Sequence, residues 1–236
     1  MKHLSPNKLT SYIQFTEINP DVTEKQIIRH IQLCKKYQFD AAMIAPCWIT
    51  LAMDILKDSS VKVATFIDFG MGNLDIAGKV ALIGHLKKEG VAEVDYAPNM
   101  GYFLSGMYDL FFKESREIVA AADGMPVKAM LQLGMIKNLE EKKHAINLLE
   151  NAGVDWIKNS SGGWPPGATN ATADEIRFIK NTLSSRSRVK ASGGIKSYET
   201  ALSLIEAGAE LLGTSNALEI IGVSDTESKN FHSDQY

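Results

Sequence analysis

Apolar residues along the chain fall into two alternating patterns. Short runs rich in β-branched and aromatic residues are each followed by a longer stretch in which apolar positions recur every three or four residues. The first pattern is that of strands, the second that of amphipathic helices. Read this way, the strands are 12–18, 41–46, 62–69, 93–99, 127–134, 155–160, 188–192 and 211–215. Helix punctuation stands between them. Asp21 and Thr23 are polar capping residues ahead of a stretch that sets Ile27, Ile31 and Cys34 on one face. Thr172 and Glu175 have the spacing of a capping box, and Gly208 stands where the helix after the seventh strand should stop.

Eight strand-helix units in 236 residues match a (β/α)8 barrel, a fold of about 250 residues. An open doubly wound sheet is the rival layout. Against it, no G-x-G-x-x-G follows the first strand, and the units number eight. The expectation is an α/β protein, a single-domain TIM barrel over residues 1–222, with 223–236 as a polar C-terminal tail without helical periodicity.

Composition narrows the function. The net charge of -3 comes from interspersed charges with no basic block, which argues against nucleic acid. The N-terminus lacks the apolar core of a signal peptide and no apolar run is long enough to cross a bilayer, so no membrane role and a cytoplasmic location are expected. Cys34 and Cys47 are too few for a disulfide framework and belong to no metal-ligand cluster. His3, His30, His85, His144 and His232 form no H-x-H or H-E-x-x-H pattern and are expected at the surface, with no metal.

Two stretches carry the candidate chemistry. "WIKNSSGG" (156–163) and "RVKASGGI" (188–195) each run an apolar residue into a lysine, then Ser and Gly at two-residue steps. In a barrel, such strand ends gather at one mouth. Lys158 and Lys190 would then stand side by side, each disfavouring the other's charge. A neutral amine would be available to attack a carbonyl and form a Schiff base, the chemistry of a class I aldolase. The plainer reading is two lysines that snorkel from strand ends. Asp95 in "EVDYAPN" alternates with Val94 and Tyr96 and suits proton transfer, or equally a salt bridge. The small-residue loops "SSGG" (160–163), "SGGI" (192–195) and "GTSNA" (213–217) suit a phosphate held by backbone N–H groups, or ordinary turns.

Taken with the opening "SYIQFTEINPDVTEKQI" and with "VKASGGIKSYETALSLIEAGAELLGTS", these motifs resemble deoxyribose-phosphate aldolase in the same order from about residue 12 to 221. The resemblance implies Lys158 as the Schiff-base lysine, Lys190 as the second lysine, Asp95 as the acid/base aspartate and Tyr236 as a proton shuttle. It implies phosphate-binding positions at Gly162, Gly193, Gly194, Gly213 and Ser215. The implied reaction splits 2-deoxy-D-ribose 5-phosphate reversibly into D-glyceraldehyde 3-phosphate and acetaldehyde without metal or organic cofactor. Small sugar phosphates and aldehydes are then the partners, with a homodimer expected from the habit of the class. Departures fall around the site. Gln14, Phe15 and Thr16 stand where the family reads "DHT", so a carboxylate expected beside the second lysine is missing. Trp164, Pro165 and Pro166 occupy a loop that is usually glycine-rich, Gly70 replaces a common proline, and Asn216 replaces a small residue. Two other readings stay open: a Schiff-base aldolase for another aldehyde, and a non-catalytic sugar-phosphate-binding barrel.

Overall fold

The strand runs close on themselves. In the computed structural model, which describes residues 4–162, 168–184 and 186–223, the strands are β1 Ile13–Glu17, β2 Ala41–Ile44, β3 Lys62–Ile67, β4 Glu93–Tyr96, β5 Val127–Met130, β6 Trp156–Lys158, β7 Arg188–Ser192 and β8 Leu211–Thr214. All pair in parallel in chain order, and β8 returns to β1 through Gln14 opposite Gly213. The helices are α1 Pro6–Thr10, α2 Glu24–Tyr37, α3 Ile49–Leu56, α4 Ile76–Lys88, α5 Met100–Leu104, α6 Tyr108–Ala122, α7 Leu139–Ala152, α8 Ala173–Thr182, α9 Tyr198–Glu206 and α10 Ala217–Ile220. This is the expected (β/α)8 barrel. Among the described residues no helix is long and apolar enough to cross a membrane.

Local signals explain most of the helix starts. Thr23 caps α2 in a full capping box with Gln26, and Ile27 and Ile31 on its inner face are wholly buried. Each such side chain contributes about 1.5–3 kcal/mol on leaving water. At α8 the box is only half made. Thr172 accepts from the Glu175 N–H, but the Glu175 carboxylate is drawn instead to Asn159 Nδ2 at 2.8 Å. Gly208 follows α9 with a positive φ of 113°, as its position after the helix requires. Val223, placed in the tail by pattern, packs partly buried against the core and donates its N–H to the Leu218 carbonyl; the rest of the tail, 224–236, lies outside the described residues.

Alternation along each strand sorts side chains into two interiors. Outward residues such as Ile13, Ile44, Val63, Val94, Val127, Ile157, Val189 and Leu212 meet the helices in one continuous apolar core. Inside the barrel Ala41, Met43 and Ala64, with Phe66 against them, form a small apolar cluster. Met130, Trp156 and Leu211 share the inward faces of their strands with buried charged and polar side chains. One histidine departs from expectation. His30 is 6% exposed, bonded to the Phe15 carbonyl and packed on the Phe15 ring, so it belongs to the core, and burial lowers its pKa to about 4. It sits on the inner face of α2, one turn before Cys34, where the stripe read from the sequence runs.

Candidate active site

Glu93 and Asp95 lie two residues apart on β4, so both point into the barrel. Register then decides their neighbours. Asp95 is level with Lys128 of β5, and Lys158 of β6 is level with Lys190 of β7. The result is a cluster of lysines around one carboxylate. Lys158 Nζ donates to Asp95 Oδ2 at 2.9 Å and Lys190 Nζ donates to the same oxygen at 2.8 Å. The other oxygen, Oδ1, faces Lys128 Nζ at 3.5 Å. Asp95 and Lys190 have no solvent exposure, while the Lys158 side chain retains 5%.

Burial disfavours the Asp95 anion, but the charges of Lys190, Lys158 and Lys128 outweigh it and hold the carboxyl well below the usual carboxylate range. Burial acts the other way on Lys190, and with Lys158 and Lys128 it lowers the amine to about 7 despite the attraction of Asp95. Below this layer Lys128 Nζ stands 2.5 Å from Glu93 Oε2. Lys62 pairs with Glu93 and, at 2.9 Å, with Asp40. Burial opposes the Glu93 anion as well, yet Lys128 and Lys62 hold its pKa at about 2.

One expectation changes here. The lysines do not share the mouth: Lys158 lines it, whereas Lys190 lies enclosed beneath. Asp95 serves both lysines, while from β1 an amide and not a carboxylate meets Lys190. Gln14 completes the contact. Its carbonyl Oε1 accepts from Lys190 Nζ at 2.6 Å, while Nε2 donates to Asp40 Oδ2 at 2.9 Å and to Glu93 Oε2 at 2.8 Å. Lys128, Glu93, Lys62 and Asp40 were not singled out from sequence. A signal existed: "VKAM" on β5 repeats the step from an apolar residue into a lysine seen on the other two lysine strands, and Glu93 shares a strand face with Asp95.

Above Lys158 a cavity of about 370 Å³ opens at the C-terminal ends of the strands. That suits a small metabolite. Phe69 forms one wall, its ring centroid 5.5 Å from Lys158 Nζ. Gly162, Gly193, Gly194, Gly213 and Ser215 also line the cavity, as do Glu17, Lys196 and Asn216. Gly193 and Gly194 have φ of 100° and 68°, and a side chain on either would strike Thr169 or Asn170. Gly213 serves a second purpose: a Cβ there would press on Lys190 Cε at 3.2 Å. Buried Gln132 and Ser160 organise the rim. Gln132 Oε1 accepts from the Ser161 N–H, and Ser160 Oγ accepts from the N–H groups of Gly162 and Thr169. Asn159 joins β6 to β7 by accepting the Ser192 N–H. Tyr236 and the Trp164, Pro165 and Pro166 loop lie outside the described residues.

No family model matches the chain. A deoxyribose-phosphate aldolase from Streptococcus sanguinis (strain SK36) is 37% identical over 214 residues, covering 91% of this chain and 96% of that protein. One from Caldanaerobacter subterraneus subsp. tengcongensis is 34% identical over 223 residues, covering 93% and 95%. Among solved structures, QR15, an aldolase, matches with a TM-score of 0.84 and 31% identity over 96% of this chain and 99% of that one. A deoxyribose phosphate aldolase from Aeropyrum pernix, described as a unique tetramer, matches with a TM-score of 0.82 and 25% identity over 92% and 91%.

Proposed function

The chain belongs to the deoxyribose-phosphate aldolase family and is an aldolase, a lyase; from that premise we propose that it splits 2-deoxy-D-ribose 5-phosphate reversibly into D-glyceraldehyde 3-phosphate and acetaldehyde through a Schiff base on Lys158. One observation carries the reading. The Lys158 amine reaches the floor of the mouth cavity while its partners Asp95 and Lys190 stay enclosed below it, so the reacting amine alone of the three meets substrate.

The chemistry follows from that placement. Lys158, once neutral, attacks the aldehyde carbon C1 of the open-chain sugar, and the carbinolamine loses water to leave a protonated imine. A base removes the 3-hydroxyl proton and the C2–C3 bond breaks. Its electron pair moves toward the imine to give an enamine, and D-glyceraldehyde 3-phosphate departs. Protonation at C2 and hydrolysis release acetaldehyde and the amine. Asp95 serves as acid and base through a water, and Lys190 takes up the proton that Lys158 must lose. The phosphate lies against the loops of Gly162, Gly193, Gly194, Gly213 and Ser215, where backbone N–H groups at strand ends favour an anion.

Borohydride trapping with acetaldehyde, read by intact mass and peptide mapping, tests this. A reduced two-carbon adduct on Lys158 that is absent from Lys158→Ala is the expected result. A folded protein that binds sugar phosphates and gives no adduct would overturn the acetaldehyde chemistry and leave a binding protein.

A further inference from the structure

The barrel interior can be counted as well as described. Lys128, Lys158 and Lys190 have side chains no more than 5% exposed, and the carboxylates enclosed with them are Glu93 at 8% and Asp95 at 0%. Asp40 and Lys62 sit nearer the N-terminal opening, at 16% and 36%; Lys62 pairs with Asp40 and with Glu93, and the two residues add one charge of each sign. Three enclosed amines therefore face two enclosed carboxylates. An unbalanced charge held away from water is costly, and the usual relief is loss of a proton.

Contacts decide which amine gives up its proton. Lys128 lies between both carboxylates, and Lys158 borders the cavity. Lys190 has a half share of one carboxylate oxygen, and its other acceptor is an uncharged amide, Gln14 Oε1. The strands beside Lys190 bring it no further carboxylate: β8 offers Leu211 and Gly213, β6 offers Lys158, and Lys128 is the other amine that faces it. Nor can the Gln14 amide turn to face Lys190 differently. Its Nε2 is held by the carboxylates of Asp40 and Glu93, which only a donor can meet.

We propose that Gln14 is a positioning residue for the aldol chemistry: by filling a carboxylate-sized place with an amide, it leaves the array one negative charge short. Lys190 consequently rests as a neutral amine. The proton of Lys158 crosses the shared Asp95 oxygen to Lys190, giving a neutral Lys158 and a charged Lys190 with no proton gained or lost from solvent. This rests on the Schiff-base reading above. The lowering of Lys190 by burial agrees with it.

The test is to change the carboxylate count in both directions. The pH profile of borohydride trapping with acetaldehyde is measured for wild type, Gln14→Glu, Glu93→Gln and the double variant. An added carboxylate should move the acid limb up by about one pH unit or more, a tenfold loss at a fixed pH on that limb. A removed carboxylate should move it down. The double variant, which moves the carboxylate without changing the count, should return toward wild type. Shifts of both single variants in the same direction, no shift in either, or a double variant worse than both, would mean a packing role and overturn the proposal. NMR titration of the lysine Cε groups in ligand-free wild type separates this from the aldolase reading. One enclosed lysine should titrate near pH 7, far below the ordinary lysine value of about 10.4. If every lysine keeps its ordinary titration the proposal fails, whether or not trapping succeeds.

Discussion

Of the wholly buried lysines, Lys79 and Lys190 lie in separate parts of the molecule, and their surroundings are opposites. Lys79 of α4 lies outside the barrel with a full set of acceptors: the Gly72 carbonyl at 3.0 Å, the Ala97 carbonyl at 2.8 Å and Glu114 Oε1 at 2.7 Å, with Asp68 Oδ2 at 3.4 Å. Its acceptors tie the loop after β3 to the end of β4 and to α6. Lys190, inside the barrel, has a shared carboxylate oxygen, an amide oxygen and two competing ammonium groups. A buried cation with every hydrogen satisfied is a structural pin. One that is short of anions is poised to exchange protons.

The sharpest break of this comparison replaces each lysine by Met. Lys190→Met should lower aldol turnover about 10²- to 10⁴-fold, the scale of a lost proton-transfer group, with the fold retained because Asp95 keeps Lys158 and Lys128. Steady-state kinetics beside a urea melt checks both halves. Lys79→Met should do the reverse. It strands Glu114, whose carboxyl burial already pushes up despite Lys79, at a cost of about 3–5 kcal/mol in unfolding free energy. Activity per folded molecule should survive.

A smaller effect lies in the pH dependence of stability. The pKa of Glu93 falls from 4.5 to about 2 on folding, so its contribution is present above the first value and is lost as pH falls toward the second. Lys190 falls from 10.5 to about 7, so the unfolded chain binds the extra proton between those values and stability climbs with pH across that window. The alkaline climb should vanish in Lys190→Met and persist in Lys79→Met. Smallest of all is the exposed pair of Lys87 with Asp123. Lys87→Ala should leave the urea midpoint where it is, since water already solvates both charges.

Legibility followed the range of the interaction. The helix starts could be read because a cap is a local event: Thr23 and Gln26 are three residues apart. Glu175 misled for the same reason, because its partner Asn159 comes from another β-α unit. His30 was placed at the surface because it belongs to no metal-ligand motif, although its position on the inner face of α2 was visible in the pattern. Asp95 and the two lysines stood out by motif, but their sharing of one oxygen depends on β4 and β7 approaching across the barrel.

By itself the sequence determined the eight strands, their parallel order and the strand ends on which Lys158, Lys190 and Asp95 would fall, because periods of two and near 3.6 are properties of neighbouring residues. Tertiary structure alone decided that Lys158 faces the cavity and Lys190 does not, and that Gln14, Glu93 and Lys128 join them. Closing the barrel brings β1 beside β8 and puts Gln14 within reach of a residue 176 positions away. Charge balance in an enclosed space belongs to that whole set of residues, and no short stretch of chain contains it.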